Sequence, residues 1–365
     1  MQVNKILLLF IGILIGFFLF ACKKEKKEIT PITTSTSQGV VVDLTEVPYN
    51  TLSEYNFFVG NIAEQVPVDG VLPYEPASSL FTDYAKKKRF IWMPDGVKAS
   101  YVDDGELLNM PKGTVLIKSF YYDNVQPAGV SKIIETRVMI RKESEWRFAE
   151  YVWNEEQTEA FLDMTGSTVQ IDWLQDGNPL TTEYRIPSDT ECMICHKSNN
   201  NPLPIGIKPQ NLNVEYEYEN GTENQLQYLI SQGYLENSLP LAINSVVDYK
   251  DESESLNKRA RSYLDINCAH CHREGSHCDY RPLRLAYSET SIYENMGVCV
   301  EPDEYINSAL THLIVPSNSE RSVLFYRLEA TQENERMPLL GRSIVHTEGI
   351  QLIEDYINTL TDNCD

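Results

Sequence analysis

The stretch that decides the reading is "SESLNKRARSYLDINCAHCH", residues 253–272. It opens on serines, carries apolar residues at helical spacing, and runs directly into two cysteines three apart with a histidine after the second. The spacing predicts a helix that delivers Cys268, Cys271 and His272 as a unit. The same constellation stands earlier in the chain, at "CMICH", where Cys192, Cys195 and His196 repeat it.

Working outward, the surroundings of the two motifs differ. Residues 46 to about 185 are rich in β-branched and aromatic residues. "GTVLIKSFYY" (113–122) and "KIIETRVMIR" (132–141) read as strands joined through "DNVQPAG". "WRFAEYVWN" (146–154) reads as a third strand, and "STVQIDWLQDGNPLTTEYRIP" as two more with Asp176-Gly177 at the turn. Beyond residue 220 the periodicity becomes helical. "ENQLQYLISQGYL", "SVLFYRLEA" and "TEGIQLIEDYINTL" are amphipathic, the last with Thr347 as its expected cap. The fold class expected is α+β: an antiparallel β-rich domain, 46–215, that ends in the first motif, followed by a helical domain, 216–365.

The beginning of the chain addresses it. A basic "MQVNK", the apolar run "ILLLFIGILIGFFLF" and then Ala21-Cys22 form a signal peptide over 1–21, too short for a comfortable membrane span. "LFAC" has the form of a lipobox, so Cys22 is the expected lipidation site and anchors the chain to a membrane. Lys23, rather than an aspartate, after that cysteine favours the outer membrane of the cell envelope. The charged, Ser/Thr-rich stretch over 22–45 cannot bury a core and reads as a flexible tether. The formal net charge of −22 disfavours a nucleic-acid partner and suits the docking of a basic protein. Of eight cysteines, Cys278, Cys299 and Cys364 lie outside both motifs and the lipobox. In an oxidising compartment two of these three are expected to pair, and the sequence does not say which.

Three chemistries compete for Cys-x-x-Cys-His. A dithiol redox pair has no use for the fixed histidine. A structural zinc site needs four ligands, but the two cysteine pairs here are far apart in sequence. Covalent attachment of a c-type haem uses all three positions. One helical turn spaces two thioethers for neighbouring porphyrin edges, and the next residue brings an imidazole under the ring. The sequence therefore predicts two covalently attached haem c groups, one on Cys192 and Cys195 with His196 on iron, the other on Cys268 and Cys271 with His272 on iron.

"NERMPLLGR" (334–342) offers Met337 as the second axial ligand of the second haem. An Arg-Met-Pro loop before a last helix resembles the methionine loop of class I cytochromes c. That resemblance implies a terminal helix packing through Tyr356 against the motif helix near Tyr263. For the first haem the candidates are Met110, Met139, Met164, His312 and His346, or an open position; His270 and His277 read as surface residues.

From about residue 50 onward the chain also resembles a family of exported bacterial diheme c-type cytochromes. The likeness is carried by "YEPASSLFTDYAKKKRFIWMP", "IETRVMIR", "YVWNEEQTEA", "CMICH" followed by "PIGIKPQNLN", "NCAHCHR" and "RMPLLGRSIVH". It implies electron transfer with a partner redox protein rather than catalysis. The rival expectation is a diheme redox enzyme of peroxidase type, with an open distal site on the first haem.

Overall fold

The structure is a computed structural model that describes residues 39–361 and residue 364. The signal peptide, Cys22 and the tether up to residue 38 lie outside the described residues. Among the described residues no helix is long and apolar enough to cross a membrane.

The strands expected from the sequence form, and they form one antiparallel sheet. Its members are β1 (Leu72–Pro73), β2 (Lys86–Trp92), β3 (Val115–Val125), β4 (Val130–Arg141), β5 (Trp146–Trp153), β6 (Ala160–Leu162), β7 (Ser167–Gln175) and β8 (Asn178–Ile186). The order runs β1-β2-β3-β4-β5-β6, and the β7–β8 hairpin joins the far end of β3 through Val125 opposite Trp173. Asp176 and Gly177 both have positive φ, 52° and 82°, which is the backbone a two-residue hairpin turn requires.

Register fixes what each face carries, because side chains alternate along a strand. Phe90, Ile117, Val138 and Ala149 lie directly opposite one another across β2–β5 and bury a core with Tyr55, Phe57 and Val68. On the other face, Ile91, Leu116, Met139 and Phe148 form one transverse row. The next row on that face is Arg89, Lys118, Arg137 and Glu150.

The helices longer than one turn are α1 (Asp189–Cys195), α2 (Gln225–Ser231), α3 (Leu256–Leu264), α4 (Val323–Glu329) and α5 (Thr347–Thr359). They are shorter than the amphipathic stretches suggested, and turns and irregular segments separate them. His346, not Thr347, takes the capping position of α5. Helices α3, α4 and α5 share a core containing Tyr263, Leu264, Leu324, Leu328, Ile353 and Tyr356. Tyr263 and Tyr356 thus belong to one cluster, as expected. The described residues form a single compact unit. The coarse α+β description therefore holds. Cys299 and Cys364 form a disulfide, and Cys278 is a free, buried thiol.

The approach of α5 to α3 depends on Gly349. A Cβ there would stand 2.5 Å from Nδ1 of His346 and collide with the Tyr263 ring. Gly349→Ala therefore overpacks the crossing, and a loss of about 2 kcal/mol is expected in chemical denaturation. An unchanged midpoint would show that the crossing has slack.

Candidate metal centre

Each motif sits on a helix the sequence specifies locally. In α1, Ser188 Oγ accepts a hydrogen bond from the Glu191 N–H at 3.4 Å, while Glu191 Oε2 accepts from the Ser188 N–H at 2.7 Å. This reciprocal cap fixes the start of the helix. Arg185 donates to both oxygens of Glu191, at 3.0 and 2.8 Å, and ties the helix to β8.

The second motif begins where α3 widens into a π-turn, Asp265–Ala269. Such turns re-aim side chains at the cost of regular pairing, and they occur often at functional sites. Buried side chains hold this one. Asp265 accepts from the Tyr287 N–H at 3.0 Å and from Gln210 at 3.2 Å, with Lys208 at 3.7 Å. Asn267 accepts from the Phe81 N–H at 2.9 Å and donates to the Tyr263 carbonyl at 2.9 Å.

Two largely apolar cavities adjoin these motifs. The first has about 1450 Å³ of empty space, its open mouth included, and is lined by Cys192, Cys195 and His196. Other parts of its wall come from the sheet face described above and from Pro338, Leu340 and Gly341. The second has about 1210 Å³ on the same measure and is lined by Cys268, Cys271, His272 and Met337. Cys195, His270, Pro338 and Leu340 line both cavities, so the two share a wall. Across that wall the Cys271 thiol lies 4.0 Å from Cys195 Sγ and 3.7 Å from the Ile194 carbonyl.

Both motif histidines are suited to a metal. His196 Nδ1 lies 3.0 Å from the Leu203 carbonyl. A proton on Nδ1 satisfies that oxygen and leaves Nε2 as the lone-pair nitrogen, the usual second-shell arrangement of a ligating imidazole. His272 Nδ1 is buried and has no hydrogen-bond partner among the described residues. Burial lowers both imidazoles to about 4, so both are neutral at pH 7. A largely apolar cavity, two thiols and a neutral imidazole on each side fit a covalently attached haem.

The residues named from sequence divide clearly. Cys192, Cys195 and His196 come together, as do Cys268, Cys271, His272 and Met337. Met139 and Met164 line the first cavity; Met110, His312 and His346 line neither. Met110 is buried in an apolar cluster with Leu108 and Ile207. His346 is stacked on Phe81 at 4.1 Å, and its Nδ1 is 3.0 Å from the Tyr263 hydroxyl. His270, expected at the surface, instead stands in the shared wall with Nδ1 buried and unpartnered among the described residues. Cys22 lies outside the described residues.

Sequence reasoning missed Arg342. Its guanidinium is buried and donates to four carbonyls: Met337 at 2.9 Å, Arg327 at 2.9 Å, Ala330 at 2.9 Å and Ile344 at 3.3 Å. The Met337 N–H also donates to the Arg327 carbonyl at 2.9 Å. Asp83 anchors the same segment from the sheet side, accepting from the N–H groups of Ser343 and Ile344 at 2.7 and 3.1 Å. The second arginine of "RMPLLGR" was in view, but nothing local marks it as a clamp.

No family model, no curated protein and no solved structure matches this chain.

Proposed function

We propose that the chain is a diheme c-type cytochrome of the cell envelope, tethered through Cys22 and passing electrons to and from a partner protein. The observation that carries this reading is the pairing of each Cys-x-x-Cys-His with its own apolar cavity, the second of which also contains Met337. When bound, each haem iron supplies one-electron chemistry. The protein's part is to hold each ring, exclude water and set the potential through ligands and burial. Cys192, Cys195 and His196 would hold one group, and Cys268, Cys271, His272 and Met337 the other. The acidic surface suits a basic redox partner. The lipobox suits anchoring in the outer membrane.

A pyridine haemochrome assay with intact mass should return two covalent haems per chain. Met337→Ala should abolish the far-red methionine–iron charge-transfer band in ferric protein and lower the potential of one haem only, because a thioether stabilises ferrous iron. Survival of that band would reassign the ligand.

One observation favours a second reading, a site for a soft metal ion. Ligand atoms of Cys195, His270 and Cys271 all lie within 4.8 Å of one another. The hydrogen bond from Cys271 pulls the Cys195 thiol well below the usual range, which favours a thiolate. A colourless protein with one equivalent of zinc by metal analysis would decide for that site and against haem.

A further inference from the structure

The transverse row Arg89–Lys118–Arg137–Glu150 lines the first cavity, facing the helix that bears Cys192, Cys195 and His196. Three cations stand side by side in this row, and two of them are explained by their partners. Arg89 has Glu75 at 3.3 Å. Arg137 donates to Glu135 at 2.6 and 3.0 Å and has Glu150 at 3.8 Å. Lys118 has no carboxylate or carbonyl partner among the described residues; its Nζ stands 4.7 Å above the Phe120 ring.

A half-buried ammonium set between two guanidinium groups, with no carboxylate against it, is costly, and a lysine in that position gives up its proton more readily. Burial, together with Arg89 and Arg137, holds Lys118 well below the usual lysine range. The result is a primary amine that deprotonates more easily than an ordinary lysine, on the wall of the cavity that Cys192, Cys195 and His196 also line.

Of the other donors in that cavity, His270 stands in the wall shared with the second cavity, and the two methionines need no metal to explain them. Met139 packs with Leu116 and Trp146 in an apolar cluster, where a thioether is at ease. Met164 Sδ already accepts the Glu150 N–H at 3.3 Å.

We propose that Lys118 Nζ is the sixth ligand of the first haem iron, opposite His196. This rests on the diheme reading above. It makes the two centres chemically unequal. An amine–imidazole pair favours ferric iron more than an imidazole–thioether pair does, so the first haem takes the lower potential and electrons run from it to the second.

The test uses the full-length, haem-loaded protein, after a haemochrome assay has established two haems; their absence would overturn the diheme reading itself. Ferric electron paramagnetic resonance and near-infrared magnetic circular dichroism resolve the ligand set of each iron. Wild type should show two low-spin centres, one methionine-ligated and one with two nitrogen ligands. Lys118→Ala should lose the nitrogen–nitrogen low-spin signal, gain a high-spin ferric signal and admit cyanide at that iron. The methionine-ligated centre should persist and so report on folding. Met139→Leu and Met164→Leu should leave both signals in place. Three results would overturn the assignment: an unchanged low-spin signal in Lys118→Ala, loss of that signal in either methionine variant, or a wild-type spectrum with two methionine bands or a high-spin centre. Should Lys118→Ala fail to fold, His270→Gln decides: survival of the nitrogen–nitrogen signal there supports Lys118, and its loss would give the ligand to His270 and overturn the assignment.

Discussion

Arg342→Ala should destabilise the protein by roughly 4 kcal/mol, because four backbone carbonyls lose one buried donor together. Each orphaned acceptor costs on the order of 1 kcal/mol or more once water partly replaces the guanidinium. The defect should not be confined to stability. Met337 is positioned by its own N–H to Arg327 and by Arg342 on its carbonyl. Release of the clamp frees the loop that carries the thioether. The methionine–iron band should therefore weaken in a variant whose Met337 is intact. Arg342→Lys should recover little, since an ammonium cannot fork between carbonyls on two sides as a planar guanidinium does. Guanidinium denaturation monitored by tryptophan fluorescence, beside the ferric spectrum, reads both effects. A stability loss below about 1 kcal/mol would mean that the loop is held by its other contacts.

The second large effect is a dependence on acid. His346 is buried among Phe81, Tyr84, Tyr249 and Tyr263, and burial lowers its imidazole from 6.5 to about 4. Glu348, 3.7 Å from Nε2, opposes the shift, while Lys250, Lys87 and Arg342 add to it. The folded protein thus binds this proton less readily than the unfolded chain does. Stability contributed by the neutral ring is complete above pH 6.5, falls as pH drops from 6.5 towards 4, and loses nothing further below that. The shift corresponds to about 3 kcal/mol across that window. His346→Gln should start less stable at pH 7 yet lose about 3 kcal/mol less on acidification. Denaturation curves at pH 7 and about pH 4.5 for both proteins give the comparison. Parallel losses would place the acid sensitivity in other groups.

Much of this architecture is legible in the sequence, and the illegible parts share a cause. The strands and their hairpins follow from β-branched runs and from Asp176-Gly177, which are local signals. Helix α1 follows from Ser188 and Glu191 bracketing its first turn. Both Cys-x-x-Cys-His motifs are contiguous, so their spacing alone assembles them. Lys118, Arg137 and Glu150 are different. Alternation correctly places them on one face of the sheet, but charged residues on an alternating strand read as the solvent side. Only the packing of α1 and the 338–341 segment over that face turns it inward. The same holds for the distal candidates. Nothing local separates Met139 and Met164, which line the first cavity, from Met110 and His346, which fill cores elsewhere. Arg342 and Asp83 bond to backbone far from themselves in sequence, and no periodicity reports that.

The wall shared by the two cavities bears on how the proposed protein would be made. A chain that folds before any haem is attached holds thiols from two distant motifs almost in contact, and that of Cys195 is the readier to ionise. In an oxidising compartment a stray disulfide between Cys195 and Cys271 would staple the wrong partners and block both attachment sites at once. On that proposal the pair must stay reduced until Cys195 or Cys271 itself carries a thioether, which removes one of the two thiols a disulfide needs.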